Sequence, residues 1–180
     1  MKIIFLDVDG VLNSVRSMIA YHDEYHTLLE NRFAYSYDDP KHSLFNHIDP
    51  IAVRLLNRVT DETGAKYVIS STHRKHIPYG PDGVRDILRM KQYFSGFGLT
   101  GEVIGYTPDS NSGFRGNEIA YWLEHSCTEE VTHYAIVDDS SDMTEYQKDH
   151  HFVHTSCDEG FTLENYKELR YILGYTKNLE

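Results

Sequence analysis

An α/β domain built on a parallel, doubly wound sheet is the fold this sequence predicts, and three observations predict it. Short apolar segments of strand length recur along the chain, at Ile3–Leu6, Lys66–Ser70, Glu102–Gly105, His133–Val137 and Phe152–His154. Stretches of helical periodicity lie between most of them, and strands alternating with helices of ten to fifteen residues indicate βαβ units. The first segment is apolar without polar alternation, as strands covered on both faces are. At 180 residues the chain forms one domain, 1–180, able to bury about 70% of its unfolded surface.

The first strand, Ile3–Leu6, runs into Asp7, Val8, Asp9 and Gly10. It therefore delivers two carboxylates, spaced i and i+2, at the carboxyl end of a buried strand, where ligands of open α/β sheets gather. An Asp-Gly hairpin turn is the plainer reading. The residues after Gly10 do not alternate like a returning strand, which weighs against it. Residues 14–48 follow as a long insertion rich in Tyr, His and acidic side chains. Insertions of this kind at a strand's carboxyl end cover active sites, so a small cap is expected there.

A helix is expected over Pro50–Thr63, with Asp49 as its cap, Pro50 in the first position and Gly64 as terminator. After the second strand, residues 77–83 carry Pro78, Gly80, Pro81 and Gly83 and read as loop. A helix over Gly83–Phe94, the third strand and a loop over Thr107–Gly113 come next. The helix over Gly116–His125 places Ile119, Trp122 and Leu123 on one face. The last helix, Thr162–Leu173, opens on a Thr162 cap two residues after Gly160.

Composition narrows the function. Seventeen basic against 28 acidic residues give a formal charge of −11, which repels a nucleic-acid backbone and argues against extended groove binding. A phosphorylated small molecule, or only the end of a nucleic-acid strand, fits better. The 14 tyrosines and eight phenylalanines can stack on bases, although core packing is their commoner use. Cys127 and Cys157 lack metal-type spacing, and neither a signal peptide nor a membrane-length apolar run is read; a cytoplasmic protein without membrane contact is the expectation.

Three further segments carry candidate chemistry. Ile136-Val-Asp138-Asp139-Ser-Ser-Asp142 repeats the pattern of a buried strand turning acidic as it leaves the sheet. Capping of a following helix by Asp142 with Glu145 is the alternative reading. Two acidic strand ends in one domain favour a cation, because like charges gathered at one site are costly without one. Ser70, Ser71, Thr72, His73 and Arg74 present hydroxyls and amides suited to phosphoryl oxygens, or a simple helix cap. Arg115 enters a helix at the wrong end to complement its dipole, which points it toward an anion. The i, i+4 pair His22 and His26 suggests zinc, but Glu24 sits one place off the His-Glu-x-x-His pattern and no third ligand is identifiable, so zinc is set aside.

The segments Phe5–Asn13, Val68–Arg74, Arg115–Leu123 and Ile136–Asp142 resemble, in order, the four motifs of the haloacid-dehalogenase (HAD) superfamily. More narrowly they resemble the HAD domains of Swiss-army-knife RNA-repair proteins, and the similarity spans nearly the whole chain. The resemblance implies a Rossmann-like three-layer fold, with a five-stranded parallel sheet in the order 5-4-1-2-3. It implies a phosphatase in which Asp7 is the nucleophile and Asp9 the acid-base, with a pKa near the working pH. Mg2+ would be held by Asp7, the Asp9 carbonyl and Asp139, with Asp138 and Asp142 in support. Phosphate would be met by Gly10, Ser71 or Ser70, Thr72, Arg74 and Arg115. The branch has tryptophan where this chain has His73. A nucleotide or nucleic-acid terminal phosphate is the first expectation for substrate, aided by Tyr21, Tyr25, Phe33, Tyr35 and Tyr37 of the cap. A sugar-phosphate-type metabolite, or a non-catalytic protein that binds a phosphorylated ligand or docks a partner, are the alternatives.

Overall fold

The computed structural model describes residues 1–20, 48–109, 113–127 and 129–176. Most of the expected cap, with His22, His26 and the aromatics Tyr21, Tyr25, Phe33, Tyr35 and Tyr37, lies outside the described residues. The strands are β1 (Lys2–Leu6), β2 (Lys66–Ile69), β3 (Val103–Tyr106), β4 (His133–Asp138) and β5 (Phe152–His154). They form one all-parallel sheet in the order β3-β2-β1-β4-β5, the expected order read from the opposite edge. The described helices are α1 (Val15–Ala20), α2 (Pro50–Thr63), α3 (Ile87–Gly96), α4 (Arg115–His125), α5 (Glu145–His151) and α6 (Leu163–Ile172). A 3-10 turn spans Thr72–His76. No described helix is long and apolar enough to cross a membrane.

The apolar run of β1 is explained by what covers it on either face. Side chains alternate across a strand, so Ile4 and Leu6 join one core while Ile3 and Phe5 join the other. The larger core packs the sheet against Leu56 and Val59 of α2, Met90 and Phe94 of α3, and Tyr166 and Leu169 of α6. The smaller core holds Ile119 and Trp122 of α4 with Met143, and Phe5 meets Trp122 edge to face at 5.6 Å. A continuously apolar strand is stable only between two such layers.

Local chemistry sets the helix ends. Asp49 accepts the N–H of Ile51, Pro50 fills the first position, and Gly64 closes α2 in the left-handed region at φ 69°. Thr162 and Asn165 form a reciprocal capping box at the start of α6. Two expectations need correction. Helix α3 starts at Ile87, not Gly83, because the Asp86 carboxylate accepts the N–H groups of Leu88 and Arg89, while Arg85 is tied into a bridge with Tyr79. Residues 15–20, at the start of the expected insertion, form α1. The helix after β4 is capped by Thr144 with Gln147, not by Asp142 with Glu145.

Candidate active site

The carboxyl ends of β1 and β4 lie side by side, since Leu6 pairs with Val137 and the Asp7 N–H donates to the Val137 carbonyl at 3.0 Å. This register brings Asp7 beside Asp138 and Asp139. Their carboxylates each offer an oxygen within 4.8 Å of the others. Gly10 permits the approach. It has φ 69°, and a Cβ at that position would sit 2.3 Å from Asp139 Oδ2.

Asp7 and Asp138 are buried, and burial is the largest cause of a raised pKa at both. Repulsion from Asp7 adds to the rise at Asp138, while the Arg115 charge and a Ser71 hydroxyl contact oppose it at Asp7. Arg115 faces both acids at ion-pair range, Nη1 being 3.6 Å from Asp7 Oδ1 and Nε 3.7 Å from Asp138 Oδ2. Neither contact is a hydrogen bond, so Asp138 Oδ2 and Arg115 Nη1 stay buried with no hydrogen-bond partner. A cluster with an orphaned buried carboxylate oxygen and raised carboxylate pKa values suits a hard divalent cation, which prefers oxygen ligands and removes the repulsion. The residues present therefore fit Mg2+.

Asp142 is placed differently. Its Oδ2 accepts the backbone N–H of Arg115 at 3.2 Å, its Oδ1 accepts the Ser140 hydroxyl, and its carbonyl accepts the Gly116 N–H. It fixes the start of α4, and with it the Arg115 backbone, and lies outside the three-acid group. Asp138 ends β4 with Oδ1 accepting the Ser140 N–H at 2.9 Å. His154 Nε2 lies 2.9 Å from the Asp139 carbonyl, and since a carbonyl only accepts, Nε2 is the donor.

At the end of β2, Ser70 N–H donates to the Leu6 carbonyl, which carries Ser70 and Ser71 next to Asp7. Ser71 Oγ also accepts the His73 N–H and opens the 3-10 turn. Ser70 Oγ is buried with no hydrogen-bond partner, whereas Thr72 is exposed. Arg74 points into a buried ion cluster instead of the open strand ends. Its Nη2 donates to Glu118 at 2.9 Å, its Nη1 to the Ser71 carbonyl and its Nε to Asp109, which also pairs with Arg85. All three guanidinium nitrogens are thus committed, and the cluster ties the 3-10 turn to α4.

Asp9 is the exposed member of the first motif. Its Oδ1 accepts Asn13 Nδ2–H at 2.8 Å, and its Oδ2 lies 3.2 Å from His73 Nε2. Asn13 Oδ1 in turn accepts the Gly10 N–H. The His73 hydrogen bond is the largest cause of a pKa below the ordinary aspartate range. That departs from the expectation of a value near working pH, and the physical reason is donation to the ionised form. His73 is 4% exposed and its Nδ1 lies 3.0 Å from the Tyr93 hydroxyl, whose pKa burial and the Asp9 charge raise. Sequence spacing singled out neither Tyr93 nor Asn13. Asn13 is the fourth residue after Asp9 and could have been read as a side-chain turn partner; Tyr93 is brought in by α3 and carries no local signal.

A model of the family described as the HAD domain in Swiss Army Knife RNA repair proteins matches residues 3–166. Neither the curated proteins nor the solved structures hold a match to the chain.

Proposed function

This chain belongs to the family of HAD domains in Swiss Army Knife RNA repair proteins, and on that premise we propose that it is a Mg2+-dependent phosphohydrolase using an aspartyl-phosphate. The observation that carries the reading is the group of Asp7, Asp138 and Asp139 carboxylates within 4.8 Å of one another, faced by Arg115. Mg2+, held by Asp7, the Asp9 carbonyl, Asp138 and Asp139, would supply positive charge against the phosphoryl oxygens. Asp139 and Asp138 share the direct contact in this assignment, and Asp142 supports them from the α4 start.

The Asp7 carboxylate attacks phosphorus in line, and the bond from phosphorus to the leaving oxygen breaks as that oxygen takes a proton from Asp9. Arg115 and the Ser71 hydroxyl hold the phosphoryl oxygens during transfer, so positioning and charge complementarity do most of the catalytic work. Asp9 then removes a proton from water, which attacks the same phosphorus and releases Asp7. A phosphate dianion beside Asp9 raises its pKa by like-charge repulsion, which offsets the His73 hydrogen bond and lets it carry the proton.

A nucleotide or a nucleic-acid terminal phosphate is the substrate class we favour. The family's description as RNA repair supports it, and the −11 charge favours a strand end or a small molecule over a long polymer. The test is phosphate release by wild type and Asp7→Asn, with Mg2+ and with EDTA. Substrates are mononucleotides, 3′- and 5′-phosphorylated oligonucleotides, sugar phosphates and 4-nitrophenyl phosphate. Turnover that needs both Asp7 and Mg2+ is expected. No turnover on any substrate refutes the phosphatase reading, and equal turnover on sugar phosphates refutes the nucleotide preference.

A further inference from the structure

We propose that His73 is a positioning residue for Asp9, gripping its carboxyl through Nε2 and anchored in turn by Tyr93, so that it governs proton delivery to the leaving group. The inference rests on the assignment of Asp9 as acid-base and extends it to residues outside the motif aspartates.

The geometry is that of a clamp on an otherwise free side chain. The Asp9 side chain is 61% exposed, and an exposed carboxylate turns freely about its side-chain bonds unless something holds it. Here both oxygens are held, Oδ1 by Asn13 and Oδ2 by His73. The two supports differ in kind. Asn13 belongs to the same turn as Asp9, whereas His73 comes from the end of β2, 64 residues away in sequence, and is buried.

The ring itself cannot swing. Its backbone N–H is bound to Ser71 Oγ, its Nδ1 meets the Tyr93 hydroxyl at 3.0 Å, and the edge-on ring of Phe97 lies 6.1 Å from its centroid. An ionised carboxylate only accepts, so Nε2 carries the proton, and in the neutral ring Nδ1 then accepts from the Tyr93 O–H. The chain Tyr93 to His73 to Asp9 therefore runs from a tyrosine on α3 to the one exposed carboxylate of the first motif. Each carboxylate oxygen keeps a second lone pair, which leaves a proton-bearing position open toward a substrate.

A residue that aligns a general acid matters only where a proton must be delivered. Departure of 4-nitrophenolate needs none, because the anion is stable; departure of an alkoxide does. The experiment measures kcat and KM of the full chain with Mg2+ on 4-nitrophenyl phosphate and on glycerol 2-phosphate, for wild type, His73→Ala, His73→Gln, Tyr93→Phe and Asp7→Asn. Activity lost in Asp7→Asn establishes the underlying reading. For His73→Ala we expect kcat on glycerol 2-phosphate to fall by about 30-fold, a part of the 10²–10⁴ that a general acid contributes, with KM within about twofold. Compared through kcat/KM, which reports the steps up to departure of the leaving group and not the later water step that Asp9 also serves, the loss on 4-nitrophenyl phosphate should be at least about tenfold smaller, because 4-nitrophenolate departs without a proton. His73→Gln, whose amide N–H reaches the Nε2 position, should recover most of the loss, and Tyr93→Phe should show a smaller loss of the same pattern.

Equal losses of kcat/KM on the two substrates, or a change confined to KM, mark His73 as merely structural and overturn the proposal while leaving the phosphatase reading intact. Wild type inactive on these two substrates and on the mononucleotides and 3′- and 5′-phosphorylated oligonucleotides overturns the phosphatase reading instead. The contact is checked independently of turnover by the ¹⁵N resonances of the His73 ring. A proton on Nε2 whose signal moves in Asp9→Asn is expected; a ring protonated on Nδ1 alone, or blind to Asp9→Asn, overturns the proposal.

Discussion

Replacing Asp138 by Asn should stabilise the protein when no divalent cation is bound, although it removes a residue of the candidate site. Asp138 is fully buried beside Asp7, and its pKa is pushed up to about 8 from an ordinary 3.8, by burial first and by Asp7 second. A folded-state pKa above the unfolded one contributes stability that is complete below the unfolded value. That contribution is lost as pH rises through the folded value. The window is therefore pH 3.8 to about 8. A tenfold difference in proton affinity between the folded and unfolded states is worth about 1.4 kcal/mol. Asp7 and Asp138 repel each other and face one Arg115, so the replacement relieves only part of the cost of charging the pair, about 2 kcal/mol at pH 8. Asn retains an oxygen for the Ser140 N–H and turns an amide N–H toward Asp7. Urea unfolding followed by the single Trp122 reads the effect directly. In EDTA at pH 8 the variant should be more stable by about 2 kcal/mol, with the gap closing toward pH 4. Mg2+ at a hundred times its Kd should add about 2.7 kcal/mol to wild type and clearly less to the variant. A variant less stable than wild type in EDTA at pH 8 refutes the reasoning, as does equal stabilisation of both by Mg2+.

Gly10→Ala should destabilise by about 2 kcal/mol or more, because it forces a side chain to φ 69° and against the Asp139 carboxylate 2.3 Å away. Urea unfolding measures the cost, and isothermal titration should show weaker Mg2+ binding; unchanged affinity would mean that Asp139 is not a ligand. Glu118→Leu should cost about 3 kcal/mol by leaving Arg74 buried with one partner fewer, whereas Arg74→Met with Glu118→Leu should cost much less than the sum of the two single changes. Additive losses in the double-mutant cycle would contradict a coupled pair.

The fold was legible because its strands are covered on both faces. Ile3 to Leu6 and Ala135 to Val137 must be apolar at every position to satisfy two cores, and no amphipathic alternation competes with that pattern. Helices α2 and α6 announce themselves through Asp49 and Thr162, whose caps are local chemistry. Helix α5 was harder to read. Its sequence, Glu-Tyr-Gln-Lys-Asp-His-His, has no apolar stripe, and only Gln147 of its residues is buried. Thr144 with Gln147 was the available sign, and Asp142 with Glu145 offered a competing pair at the same spacing.

The site divides in the same way, into what a strand end dictates and what distant segments complete. Asp7, Asp138 and Asp139 are brought together by the β1–β4 register, so reading two acidic strand ends was enough to place them in one group. Arg74 and Asp142 stand in the same motifs, yet their side chains are directed by partners the motifs do not contain. Asp109 and Glu118 turn Arg74 into a buried brace, and the Arg115 N–H draws Asp142 to the start of α4. His73 shows the converse. By its position after Ser71 it is only a residue in a turn, and it gains a part in the site because α3 delivers Tyr93 to its Nδ1 while β1 delivers Asp9 to its Nε2. Backbone register is written in apolar runs, which sequence displays. The direction of a polar side chain is decided by hydrogen-bond partners that tertiary structure supplies, which is why motif membership brings the acids together and leaves the course of the Arg74 side chain open.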